Sequence, residues 1–194
     1  MLIILLIIAV WILFLLLIRK LKIYFFVFVV GSIGLFCILM YIGRGTVEKY
    51  LEHAVTYSMY LISKATDIYV AHPEYSMLTV YYNSQAVSFF VDYECSGFIE
   101  SIVYLSLLTF YPIYRWKRKI FLGIAGTLYI FISNIIRVFI ICVIIKKFGP
   151  SLFFFSHTVF ARVLFFFLMV GLYYVVFTMA HILRQKVGRI GYEN

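Results

Sequence analysis

Three side chains of this 194-residue chain have types that together make an acyl-transfer set: Cys95, Arg137 and His157. Cys95 stands where a polar stretch, Val91-Asp92-Tyr93-Glu94, gives way to an apolar run opened by Ser96-Gly97-Phe98. A thiol is a weak nucleophile until it ionises, and a place at a helix N-terminus beside a cation or an imidazole lowers its pKa. The sequence therefore predicts an acidified Cys95. A histidine can take the thiol proton and later protonate a leaving amine. An arginine stays charged and presents fixed donors, which suits it to a tetrahedral oxyanion or a substrate carboxylate. Each residue alone also has a plainer reading: a packing cysteine, an arginine snorkelling to an interface, an interfacial histidine. Arg137 sits inside an apolar run, where an ionisable group is costly and marks function by default.

Neighbouring residues support the set. Asn134 precedes Arg137 by one helical turn and shares its face, so it is expected to orient the guanidinium or an acyl oxygen. Glu94 is expected to orient His157 or to contact Arg137. Ser96 and Gly97 offer close backbone approach and N-terminal amides. Glu100 reads as the partner of a buried cation, with Arg162 as that cation. The other cysteines, Cys37 and Cys142, lie inside apolar runs as packing residues, and three scattered cysteines make neither a disulfide framework nor a CxxC site. His53, His72, His157 and His181 show no HExxH or paired spacing, so no metal is expected. No GxSxG, P-loop or dinucleotide fingerprint is present, and no cofactor is expected.

The elements that must position these residues are membrane helices. The chain is 65% hydrophobic and only 13% charged, with a mean hydropathy of +1.05, far from average soluble usage. The expected fold is an all-α integral membrane helical bundle of about five transmembrane helices, one membrane domain over 1–194. Its spans are placed at about 2–18, 23–43, 95–112, 120–145 and 159–182. The first run reads as a span rather than a cleaved leader, because it lacks a basic n-region and a small-residue cleavage site.

Residues 44–94 differ, carrying six of the eight acidic residues. They read as an extracytoplasmic insertion: an amphipathic helix from Thr46 to about Ile68, then a β-hairpin of Met77 to Tyr82 and Ala86 to Tyr93 around Asn83-Ser84-Gln85. The net charge of +9 belongs to cytoplasmic flanks rather than to nucleic acid. Placing the 19–22 and 115–119 loops and the tail inside puts the N-terminus out and the C-terminus in, with Lys146 and Lys147 against the rule. Cys95, Arg137 and His157 then share the extracytoplasmic side of the cell membrane.

Glu94-Cys95-Ser96-Gly97, Asn134-Ile135-Ile136-Arg137 and the later His157 resemble, in order and spacing over about 92–172, the exosortase/archaeosortase transpeptidases, most of all their compact Gram-positive members. The resemblance implies that Cys95 attacks a peptide bond in the C-terminal sorting signal of an exported membrane protein. Such signals join a short motif to a hydrophobic helix and a basic tail. An acyl-enzyme would form and pass to an acceptor amine or hydroxyl, on a lipid or glycan. His157 would be the general acid/base and Arg137 the oxyanion or substrate anchor. The rival reading is a non-enzymatic membrane assembly or transport protein in which Arg137 binds an anionic lipid or solute.

Overall fold

The computed structural model describes residues 2–83, 85–180 and 182. Ser84 of the expected hairpin turn, His181 and the basic residues Arg184, Lys186 and Arg189 lie outside the described residues. The chain divides into two compact units, residues up to Val47 with Ile99–Thr127, and Glu48–Phe98 with Leu128 onward.

In the first unit, α1 (Leu2–Lys20) and α2 (Tyr24–Gly43) form a helical hairpin. The Trp11 indole N–H donates to the Val30 carbonyl at 3.1 Å, and Gly34 leaves the space the indole fills. The Phe110 ring meets Trp11 edge to face, centroids 6.2 Å apart, and occupies the room left by Gly31. Tyr104 is fully buried; its hydroxyl donates to the Leu122 carbonyl at 2.8 Å, with its ring beside Gly126.

Among the described residues three helices are long and apolar enough to cross a membrane: α2, α5 (Trp116–Phe148) and α6 (Pro150–Met179). This is a helical membrane protein. Between them comes α4 (Phe98–Phe110), 13 residues long, about 20 Å at about 1.5 Å per residue. It stops because Tyr111 precedes Pro112, where helical backbone is disfavoured. The sequence started this helix at Cys95. The structure starts it at Phe98, since Tyr93–Cys95 form a separate 3₁₀ turn and Gly97 breaks the path with φ +73°. The α5 helix ends at Gly149, φ +85°, followed by Pro150, a usual C-terminal stop.

The last helix starts at Pro150, not near 159 as the sequence suggested. It opens with a 3₁₀ turn (Pro150–Leu152), passes one α-helical turn (Phe153–Phe155), widens to a π-helical turn (Ser156–Phe160) and resumes as α-helix from Ala161. His157 therefore lies within the helix rather than before it.

The second unit holds α3 (Val47–Thr66), the expected amphipathic helix. Its Val55 and Met59 are fully buried, while His53, Tyr57 and Lys64 stay exposed. The hairpin strands β2 (Met77–Tyr82) and β3 (Gln85–Phe90) pair antiparallel from Met77↔Phe90 to Tyr82↔Gln85. The turn uses left-handed Asn83, φ +51°, which the right-handed twist of a tight hairpin requires. A short β1 (Val70–His72), too brief to show an alternation, adds on the other side of β2 and makes the order β1-β2-β3. Leu78, Val80 and Phe89 from the sheet pack with Val55, Met59, Val138, Ile141 and Cys95 in one core.

Tyr69 crosses that core, its hydroxyl donating to the Met59 carbonyl at 2.7 Å. A buried hydroxyl contributes about 1 kcal/mol when hydrogen-bonded. Tyr69→Phe is expected to lower the melting temperature in detergent by about 2–4 °C, as read by thermal unfolding followed by circular dichroism.

Candidate active site

Cys95 closes the 3₁₀ turn, and Asp92 caps it. The Cys95 N–H donates to the Asp92 carbonyl at 2.9 Å and approaches its Oδ1 at 3.2 Å. Ser96 Oγ donates to the Tyr93 carbonyl at 2.9 Å and accepts from the Phe98 N–H at 3.3 Å. Gly97 then swings the chain through left-handed backbone, which costs any residue with a Cβ about 1–2 kcal/mol. A Cβ there would also reach Ile130 Cγ2 at 3.4 Å.

From α5, two side chains one helical turn apart hold this turn. Asn134 Nδ2 donates to the Cys95 carbonyl, and Arg137 Nη2 donates to the Glu94 carbonyl at 2.6 Å. Both are buried, at 0% and 6% exposure. The guanidinium lies over the Phe165 ring, 4.9 Å from its centroid, so the charge is met by a carbonyl and a π face. Asn134 Oδ1 is buried without a hydrogen-bond partner among the described residues.

From α6, His157 Nε2 comes within 3.6 Å of Cys95 Sγ. The imidazole stacks on Phe153 with centroids 5.7 Å apart and meets Phe89 edge-on at 6.3 Å. The π-helical turn that carries it is closed by the Ala161 N–H bonding back to the Ser156 carbonyl; such wide turns recur at functional sites. Arg162, also on α6, pairs with Glu94 Oε2 at 2.9 Å.

Every candidate residue of the sequence reading, Cys95, Arg137, His157, Glu94, Ser96, Gly97 and Asn134, thus lies in the second unit, around one turn. Three details differ. Arg137 takes the main-chain carbonyl of Glu94, while the Glu94 carboxylate goes to Arg162. Arg162, read as the cation for Glu100, has its ion pair here. And Cys95 is not acidified: burial pushes its thiol up to about 11, with Arg137 opposing and Asp92 adding to the rise. The thiol is 3% exposed, and its own amide already serves Asp92. Loss of water outweighs the nearby cation.

The reading missed Asp92, whose position three residues before Cys95 is the spacing of a capping acceptor. It also missed Phe153, one helical turn before His157, because the helix was started too late. Among the described residues no three His, Cys, Asp or Glu side chains gather to hold a metal ion.

Comparison with known families gives the class, a membrane enzyme of transpeptidase type. The model for transmembrane exosortase (EpsH) matches residues 1–174, and the chain belongs to that family. The match takes in the first ninety residues, where the sequence offered no motif. Comparison with curated proteins returned no match, and comparison with solved structures returned none.

A thiol of pKa about 11 is protonated at neutral pH, and its thiolate fraction grows about tenfold per pH unit below that value. Iodoacetamide labelling of Cys95 in the substrate-free protein is expected to climb through pH 7–10 without levelling. A plateau by about pH 8 would show that the thiol ionises early.

Proposed function

We propose that the protein is a cysteine transpeptidase that cleaves the C-terminal sorting signal of exported, membrane-anchored proteins and transfers the chain to an acceptor. The supporting observation is the 3.6 Å approach of His157 Nε2 to Cys95 Sγ, beside the buried Arg137. The topology that goes with it has five spans, the N-terminus and residues 44–94 outside, and the reaction at the outer face of the cytoplasmic membrane.

With the imidazole proton on Nδ1, Nε2 takes the Sγ proton as sulfur attacks the scissile carbonyl carbon. The C=O π pair moves to oxygen, and Arg137 stabilises the oxyanion. Collapse breaks the C–N bond, the imidazolium returns its proton to the leaving amine, and a thioester remains on Cys95. An acceptor amine or hydroxyl, on a lipid or glycan, then gives its proton to Nε2 and attacks the thioester. The C–S bond breaks, and the proton goes back to sulfur. Water in the acceptor's place gives simple cleavage.

A high resting pKa suits this sequence, since proton removal accompanies attack rather than preceding it. Asn134, Ser96 and Gly97 position the cysteine turn. Glu94, through its carbonyl, positions Arg137.

Co-expression with a reporter carrying a C-terminal apolar helix and a basic tail tests the reading, with the new C-terminus read by mass spectrometry. Cys95→Ala is expected to reduce processing at least about 10³-fold, and Arg137→Gln by about 10²–10³-fold. Processing that survives Cys95→Ala but not Arg137→Gln would remove the nucleophile and leave a non-enzymatic anion-binding role.

A further inference from the structure

We propose that the outer edge of β3 is a docking strand for an extended polypeptide: the substrate segment just before the scissile bond adds to the sheet as a fourth strand, parallel to β3. This rests on the transpeptidase reading above and extends it to how the substrate is held.

The main-chain pattern locates the free groups. The Val91 N–H donates to the Ser76 carbonyl at 2.8 Å, so residue 91 turns its main chain toward β2. Along an antiparallel pair this alternates. Phe89, Val87 and Gln85 therefore also face β2, while Phe90, Ser88 and Ala86 present an N–H and a C=O each on the far side, where no strand follows among the described residues. All three residues are exposed.

Sheet edges are usually blunted by charge, proline, shortness or a covering side chain. The opposite edge follows that rule: β1 is only three residues long, and beyond it the Tyr81 carbonyl is covered by the Lys146 ammonium at 3.1 Å. The six residues of β3, Gln85-Ala86-Val87-Ser88-Phe89-Phe90, contain no charge and no proline. Among the described residues the longest edge is the one left unprotected.

Its location names the occupant. Phe89 touches His157, and Phe90 is five residues before Cys95, so a strand laid along β3 leads to the thiol. The chain itself runs from β3 through Cys95 into an apolar helix. A sorting signal runs from its cleavage site into an apolar helix in the same order, which is why the added strand is parallel. Main-chain bonds would supply grip at little sequence cost.

The probe is the reporter processed in the co-expression experiment. Ser88→Pro removes an outward N–H without touching the β2–β3 ladder, but it also loses the 2.9 Å contact of Ser88 Oγ with Thr79 Oγ. Ser88→Ala loses the same contact and keeps the amide. The readout is the ratio of Cys95-dependent cleavage in the two variants, expected at about tenfold or more in favour of Ser88→Ala; a ratio near one overturns the strand.

Should Ser88→Pro fail to fold, disulfide trapping in a Cys37→Ala/Cys95→Ala chain decides. Ala86→Cys and Phe90→Cys are expected to capture reporter cysteines four residues apart in the same direction. Capture in the reverse order, capture of a second copy of the chain, or none overturns the proposal. Cleavage that survives Cys95→Ala would instead remove the enzyme reading itself, so the two failures are distinct.

Discussion

Two consecutive main-chain carbonyls, of Glu94 and Cys95, are held by two side chains one turn apart on α5, and the rest of the site depends on that clamp. Consecutive carbonyls point the same way only in helical backbone; in a strand they alternate. One face of a helix can therefore hold both only if the segment is wound into the short turn that Asp92 caps and Gly97 releases. The clamp also solves a problem for Arg137. Burying a guanidinium costs several kcal/mol after relaxation, and a charged hydrogen bond returns about 1.5–3 kcal/mol, so a single carbonyl is not enough. The Phe165 ring supplies part of the remainder.

The same burial keeps the Cys95 thiol quiet. An exposed thiolate is open to oxidation and to indiscriminate alkylation, whereas Cys95 at 3% exposure keeps its proton at neutral pH. Among the described residues the imidazole within 3.6 Å is flanked by aromatic rings on two sides rather than hydrogen-bonded to a carboxylate. Orientation here comes from packing, and the Glu94–Arg162 pair, between exposed groups, adds at most about 1 kcal/mol.

Much of this was legible from sequence where the information is local. Asn134 and Arg137 sit three apart inside one apolar run, so their shared face follows from helical geometry. Glu94-Cys95-Ser96-Gly97 lies at a boundary visible in hydropathy. The membrane character and α3 followed from composition and spacing.

What was hidden depends on depth and on contacts distant in sequence. Neighbours in the chain suggested an acidified Cys95, while the desolvation that reverses the sign comes from Val138, Ile141 and the sheet. The partner of the Glu94 carboxylate is 68 residues away. β1 is too short to show an alternation. His157 was recognised by type but put on the wrong element, because the polar Ser156-His157-Thr158 looked like a loop inside what is in fact one helix.

The wide turn at 156–160 can be understood as a phase correction. Phe153, His157, Ala161, Phe165 and Met169 recur at a strict interval of four, which in a regular α-helix drifts by about 40° per step. From end to end such a stripe would wind almost to the opposite face. A stretch with more residues per turn resets the angle midway, so the imidazole near Cys95 and the ring under Arg137 can belong to one helix and still serve one turn. The extra residue works as a vernier: removing any one position between His157 and Phe165 would rotate the imidazole and the ring under Arg137 by about 100° relative to each other, while every side chain around the Cys95 turn was still present.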